Sequence, residues 1–217
     1  ATDQGISSQD VISGQSDLSF SAESLTAGTY SFRKHCNQES WAFPKTDDHT
    51  YSDNAEQGYM MVVCSDKKDD VLYKFDVMDL CDKADLDFVV WVSNLEENRP
   101  KFFLRLIDLD HPSKPLTSTD VLTIPKDKSQ IWRQYSLNFR LPQNTHNVRL
   151  EIVDKSPKNA RWAIDDIAVS YCGGEARMLS TDTTICPHRQ LILQSEFIPD
   201  SAKKNVPFVY QWQYSPT

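Results

Sequence analysis

The chain has 217 residues, of which 39% are hydrophobic and 25% charged, and its formal net charge is −8 at pH 7. The hydrophobic fraction is sufficient for a packed core, which excludes a disordered chain. The excess of carboxylates repels phosphate backbones and argues against nucleic acid as a partner, and the absence of a long apolar run argues against membrane insertion.

Residues 1–17 are polar, and we interpret them as a flexible N-terminal arm. After them, short β-forming runs recur at intervals of roughly 10–15 residues and are separated by turn residues. These runs lie at 18–20, 29–32, 58–64, 71–77, 86–92, 101–109, 121–124, 132–141, 148–153 and 162–171.

Most of these runs alternate apolar and polar residues, as in 71–77, 86–92, 135–141 and 148–152. Because successive side chains of a strand point to opposite faces, each run has one apolar face. This pattern predicts antiparallel sheets packed face to face. About ten strands within 18–172 favour a jelly-roll sandwich over a seven-stranded immunoglobulin domain.

The pair Gly173-Gly174 marks a break in the chain. Further strands are predicted at 189–194 and 208–214, which are too few for a stable domain. Residues 173–217 therefore form either an additional hairpin or the beginning of another domain.

The five cysteines, Cys36, Cys64, Cys81, Cys172 and Cys186, have no spacing typical of a zinc site. Because their number is odd, at least one thiol is free or pairs between chains. The spacing does not determine which cysteines pair.

No catalytic motif for a serine hydrolase, zinc protease, nucleotide-binding loop or dinucleotide-binding fold is present. We therefore expect no catalytic residues and no enzymatic activity. Two positioned carboxylates suffice for glycoside hydrolysis, so a small jelly-roll hydrolase or lyase is retained as an alternative. The pairs Asp47-Asp48, Asp69-Asp70 and Glu96-Glu97 are interpreted as exposed turns.

Asp165 and Asp166 interrupt an otherwise apolar strand. Ile164 precedes the pair at one parity, whereas Ile167 and Val169 follow it at the other, and this change of phase predicts a β-bulge at the two aspartates. A carboxylate near a core must be paired, hydrogen-bonded or bound to a metal. Oxygen ligands favour calcium; the alternative is that an aspartate accepts hydrogen bonds from backbone N–H groups of the N-terminal segment.

Trp91 lies on the opposite face of its strand from the apolar residues of 86–92. Arg105 lies on the face opposite the apolar residues of the next strand, where we expect it to flank Trp91. An exposed tryptophan on a sheet face is typical of sites that stack on a sugar ring. Trp91 and Arg105 are therefore the candidate ligand-binding residues. The alternative is that a loop or a second core layer covers Trp91.

Three segments resemble MAM-like and carbohydrate-binding-module-like jelly rolls, which share the galactose-binding-like sandwich. They are the strand Leu18–Glu23, the Trp-initiated strand Trp132–Leu137 and the hydrophobic-Asp-Asp-hydrophobic strand Trp162–Cys172. The tail at 185–217 resembles the first strands of the immunoglobulin-like repeats that follow jelly-roll domains in large bacterial surface proteins.

The resemblance implies a secreted or cell-surface binding or adhesion unit with one structural Ca²⁺ between the first strand and the Asp-Asp strand. The ligands implied for this ion are Glu23, Asp165 and Asp166.

We predict an all-β jelly-roll β-sandwich at 18–172 with a short C-terminal β segment at 173–217, which the resemblance identifies as an incomplete immunoglobulin-like domain. The predicted function is non-catalytic binding of a glycan or a partner protein at the cell surface. A structural spacer in a large surface protein is the other alternative. The sequence does not indicate an oligomeric state.

Overall fold

The computed structural model describes residues 12, 14–36, 46–49, 58–111, 115–126, 131–171, 175–178 and 195–198. The chain divides into two compact units, Ala1–Tyr171 and Cys172–Thr217. No helix in the described part of the chain is long and apolar enough to cross a membrane.

The described residues form β-strands and no helix. The strands are β1 (Ser19–Phe20), β2 (Thr29–Arg33), β3 (Met60–Cys64), β4 (Val71–Val77), β5 (Asp85–Asn94), β6 (Lys101–Asp108), β7 (Pro115–Ser118), β8 (Leu122–Thr123), β9 (Arg133–Arg140), β10 (Val148–Asp154), β11 (Arg161–Tyr171), β12 (Glu175–Met178) and β13 (Ser195–Ile198).

The first unit is a sandwich of two sheets. The six-stranded first sheet has the order β1-β2-β3-β11-β5-β9, and the five-stranded second sheet has the order β4-β10-β6-β7 with β8 also paired to β6. All pairs are antiparallel except β1 with β2. This topology confirms the predicted all-β jelly-roll sandwich.

The core lies between the sheets, where the predicted apolar faces meet. Trp162 of the first sheet stacks on Phe102 of the second, with ring centroids 5.2 Å apart. Phe88 and Phe75 make an edge contact across the same interface at 5.8 Å. Both Trp162 and Phe88 are at most 1% exposed, so the rings are removed almost completely from water.

Part of the segment predicted to be a flexible arm is bound to the sandwich. Asp17 N–H donates to Val71 O at 2.8 Å, and Lys74 N–H donates to Gln15 O at 2.8 Å, so residues 15–17 cover the start of edge strand β4. Ile12 is 7% exposed and joins the core. The few apolar residues of this polar stretch, Ile6, Val11 and Ile12, form no periodic pattern, which explains why sequence analysis placed the segment outside the sandwich.

The β-bulge predicted at the two aspartates is confirmed. The register between β11 and β5 shifts between Asp165 and Ala168, and Asp166 has φ 43°. After the shift Ile167 and Val169 pack against the core that Ile164 enters before it. The extra residue thus keeps both halves of β11 apolar on the core side.

In the second unit β12 and β13 form an antiparallel pair. The strands predicted at 189–194 and 208–214 lie outside the described residues, as do Cys172 and Cys186. Cys64 and Cys81 have free thiols, whereas Cys36 is buried in a small apolar cluster on the outer side of the first sheet.

Candidate functional site

The two candidate ligand-binding residues lie in different sheets. Trp91 is on β5 of the first sheet, and Arg105 is on β6 of the second sheet. Each side chain points away from the core, so they face opposite sides of the sandwich. The expectation that Arg105 flanks Trp91 on a neighbouring strand was wrong. β5 and β6 are consecutive in the chain, but the connection between them passes from the first sheet to the second.

Arg105 is held by neighbours on its own sheet. Its Nε donates to Glu151 Oε2 at 2.7 Å, and its guanidinium lies 5.7 Å from the Phe103 ring centroid. Glu151 is 5% exposed, so Arg105 supplies the cation that this nearly buried carboxylate requires.

Trp91 is half-buried because the segment 46–49 crosses over it. The His49 ring stacks on Trp91 with centroids 4.1 Å apart and an angle of 24° between the ring planes. His49 also makes an edge contact with Trp132 at 5.5 Å. The face of Trp91 on which a sugar was expected to stack is therefore occupied by His49, in agreement with the alternative that a loop covers this residue.

Two backbone hydrogen bonds and a tryptophan fix the position of segment 46–49. Thr46 O accepts from Cys36 N–H at 2.8 Å, and Asp48 N–H donates to Lys34 O at 2.9 Å. Trp132 Nε1 donates to Asp47 O at 3.1 Å. Asp48 is only 1% exposed, so the interpretation of Asp47-Asp48 as an exposed turn was wrong for this residue.

The β11 bulge turns two carboxylates toward the same segment. Asp165 Oδ2 accepts from His49 N–H at 2.8 Å, and Asp166 Oδ2 lies 2.6 Å from His49 Nδ1. The aspartates therefore anchor backbone and side chain of an incoming segment, as one alternative predicted. The anchored segment is 46–49, however, and not the N-terminal segment.

Asp165 also forms a hydrogen bond with the carboxyl group of Asp48. Burial, followed by hydrogen bonding to Asp48, raises the pKa of Asp165 to about 7, although hydrogen bonds from the His49 and Asp166 N–H groups act in the opposite direction. A neighbouring carboxyl group disfavours ionisation of Asp165, because like charges close together repel each other.

The predicted calcium site is not assembled by the described residues. Within them, no group of three or more His, Cys, Asp or Glu side chains is placed to hold a metal ion. Asp165 and Asp166 are instead engaged by His49, and Glu23 accepts through its backbone oxygen from Arg33 at 3.4 Å. Calcium at Glu23, Asp165 and Asp166 stays a sequence-based prediction.

A cleft of about 270 Å³ opens beside the bulge. We call it the β11 cleft; it is lined by Ile12, Phe32, Tyr59, Met61, Tyr73, Ile164, Asp165, Asp166 and Ile167. It forms where β3 and β11 separate, because their pairing ends at Met61 and Ile164 while β11 continues alongside β5. Tyr73 of β4 and Ile12 of the N-terminal segment close the side that belongs to the second sheet.

The walls of the β11 cleft combine aromatic rings with hydrogen-bonding groups. Phe32, Tyr59 and Tyr73 supply ring surface, and the two tyrosines also carry hydroxyl groups. Burial raises the pKa of Tyr73, so its hydroxyl remains a donor over the neutral range. The carboxyl groups of Asp165 and Asp166 provide acceptors at the bulge.

Sequence analysis found the two aspartates but missed the aromatic walls. Tyr73 was recognised only as a core-facing residue of 71–77, and Tyr59 only as part of a β run. Nothing in the local sequence indicates that these rings meet, because the cleft combines residues between positions 12 and 167. The local signal available was the change of phase at Asp165-Asp166.

The sequence matches no protein-family model and no curated protein. The chain is similar to the enzymatically active domain of bacteriophage CBA120 tailspike protein 4 (TM-score 0.42, 12% identity), over 66% of this chain and only 18% of that one. It is also similar to TmCBM61 in complex with β-1,4-galactotriose (TM-score 0.41, 15% identity), over 65% of this chain and 81% of that one.

A third similar structure is a cyclase from Fischerella sp. TAU (TM-score 0.47, 10% identity), with 65% of this chain and 73% of that one covered. At such identities the similarity concerns the fold and not the ligand.

Proposed function

We propose that this domain is a non-catalytic binding module of a secreted or cell-surface protein, and that the β11 cleft holds one ring of a glycan. The observation that supports this function best is the combination of aromatic walls with two carboxyl groups in a cleft of about 270 Å³. That volume lies just below the roughly 300–1,000 Å³ of pockets for drug-sized ligands, so the cleft suits a single ring.

A sugar ring presents both kinds of surface that the cleft offers. Its C–H groups pack on aromatic faces, and its hydroxyl groups donate to carboxylates and accept from phenols. Phe32, Tyr59 and Tyr73 would contact the ring, while Asp165 and Asp166 would accept from its hydroxyl groups. Each carboxylate has about four lone-pair sites, so the hydrogen bonds from His49 leave acceptor capacity.

The arrangement of Asp48 and Asp165 supports binding rather than glycoside hydrolysis. Hydrolases of this type need two carboxyl groups roughly 5–9.5 Å apart, so that a sugar or a water fits between them. Asp48 and Asp165 instead contact each other directly. No specific observation favours a protein ligand or a pure spacer role, and both are outcomes of the experiment below.

The experiment is binding of the full chain to a broad glycan array, followed by calorimetric titration of the best ligand. Tyr59→Ala is expected to weaken binding by roughly tenfold, which corresponds to about 1.4 kcal/mol and to the loss of one aromatic contact. Tyr73→Phe, which removes only a hydroxyl group, tests the same cleft with little risk to folding.

Arg105→Ala is the matched control, since Arg105 lies on the outer side of the other sheet. The proposal expects it to leave the affinity unchanged, whereas the sequence-based prediction expects a loss. Binding to no glycan would contradict the glycan proposal, and so would a loss of affinity with Arg105→Ala but not with Tyr59→Ala. Repeating the titration with calcium and with EDTA tests the predicted ion, and cleavage of the protein by protease added to intact cells tests the surface location.

A further inference from the structure

We infer that the β11 cleft selects saccharides that carry a protonated amine on the ring over neutral and acidic saccharides. This inference rests on the proposed function, because it names the class of glycan that the same cleft accepts. The argument starts from the residues that line the cleft and from the charged groups around them.

The ionisable groups that line the cleft are acidic in its described part. Its described lining includes two carboxyl groups, Asp165 and Asp166, and no lysine, arginine or histidine. A third carboxyl group, Asp48, interacts with Asp165 and is 1% exposed, but it does not line the cleft. The side chains of Asp165 and Asp166 are half-buried, so water screens them only in part and they favour a ligand of positive charge.

Two cationic or ionisable side chains stand close to these groups. His49 contacts Asp166 through Nδ1, and its ring is stacked on Trp91. Lys34 places Nζ 5.4 Å from the centroid of the Tyr59 ring. Both lie outside the cleft lining, so neither provides a cation inside the cleft that would receive an acidic sugar.

The aromatic walls act in the same direction as the carboxyl groups. The face of an aromatic ring is negative and attracts ammonium groups within about 6 Å. Tyr59 already attracts the ammonium group of Lys34. Phe32 and Tyr73 present further rings to the cleft, so an amine on a bound sugar meets ring faces and carboxyl groups together.

The carboxyl groups of the cleft repel acidic saccharides. A uronic acid or a sialic acid would bring a carboxylate next to Asp165 and Asp166, and no basic side chain among the described lining residues would compensate it. Specificity of this kind arises from repulsion of the wrong ligand as much as from attraction of the right one.

The experiment compares three oligosaccharides of equal length with the full chain at about pH 6, where amines are protonated. They are a β-1,4-linked glucosamine oligomer, its N-acetylated counterpart and a uronic acid oligomer. The glucosamine oligomer is expected to bind roughly tenfold more tightly than the N-acetylated one, and the uronic acid oligomer is expected not to bind. Raising the salt concentration should reduce the difference between the first two.

Asp166→Asn removes one charge from the cleft and retains the shape of the side chain. It should reduce the preference for the amine several-fold, whereas Asp165→Asn should change the preference little at pH 6, because a carboxyl group with a pKa of about 7 is mostly protonated there. Asp76→Asn is the control, because Asp76 pairs with Arg149 on the outer side of the second sheet; it should leave the preference unchanged.

Equal affinities for the amine and its N-acetylated counterpart would overturn the inference and leave the proposed function in place. A preference that survives Asp166→Asn would also overturn it. If none of a broad panel of glycans binds, the proposed function is overturned, and the inference with it.

Discussion

At the scale of single residues, Asp165 makes the stability of the fold depend on pH. Its pKa is about 7 in the folded protein, against an ordinary value of 3.8. Between these two values the folded state binds more protons than the unfolded state, so the free energy of unfolding falls as the pH rises. One such group contributes a slope of at most about 1.4 kcal/mol per pH unit.

We therefore predict that Asp165→Asn flattens the decline of stability between pH 4 and pH 7. The asparagine is always neutral, and its oxygen still accepts from the His49 N–H group. Urea unfolding of both proteins at several pH values measures the effect. Asp76→Asn is the control: hydrogen bonding to Arg149 lowers the pKa of Asp76, so its contribution is lost only below this window. An unchanged slope in Asp165→Asn would contradict the assignment.

The stacking of His49 on Trp91 predicts a measurable coupling between these two residues. In a double-mutant cycle with alanine, the interaction energy should be about 0.5–1.5 kcal/mol, as for other stacked rings. The cycle between Trp91 and Arg105 is the control and should give a coupling near zero, because the residues lie in different sheets. Coupling in the control cycle alone would show that these two side chains share a surface.

At the scale of elements, the β11 bulge determines which residues of the strand face the core. Deleting Asp166 would remove the phase change and turn Ile167 and Val169 toward the outer side of the sheet. We predict that this deletion abolishes cooperative thermal unfolding.

Asp166→Gly is the matched control for that deletion. It retains the chain length and accepts the φ of 43°, so we expect it to fold with a modest loss from the contact with His49. A deletion variant that unfolds cooperatively near the wild-type temperature would show that β11 reaches its register without the extra residue.

The strands were largely predictable because their period of two is a local property. The first and last residues of β4 and β11 were predicted closely. The bulge was predicted too, since the shift of the apolar residues from one face of the strand to the other is visible in the sequence. β7 was missed because Pro115–Ser118 is short and has no apolar alternation. Segment 46–49 was missed because its position depends on Trp91, Trp132 and Asp165, which are distant in sequence.

At the scale of the whole molecule, the first unit contains the complete sandwich and the β11 cleft. We predict that a fragment comprising residues 1–171 folds alone and unfolds in one cooperative transition, since a unit with its own core needs no further chain. Circular dichroism during heating measures this. A fragment that is insoluble or melts without cooperativity would show that the core requires residues 172–217.

The fold was more accessible from the sequence than the site. A two-sheet sandwich follows from many strands in which apolar and polar residues alternate, and each of these patterns independently predicts the same architecture. The β11 cleft depends on how five separate segments pack together. A single sequence gives no information on contacts between segments that are distant along the chain. The residues that could be identified, Asp165 and Asp166, were those that disturb a local pattern.

The central claim is that the β11 cleft, and not the surface around Arg105, is where a glycan binds. Its most direct test is an amide NMR titration of the full chain with the glycan that binds most tightly on the array. The proposal predicts shifts at Phe32, Tyr59, Tyr73 and the bulge Asp165-Asp166, with none near Arg105. Shifts confined to the strands around Arg105, or no shifts at saturating ligand, would contradict it.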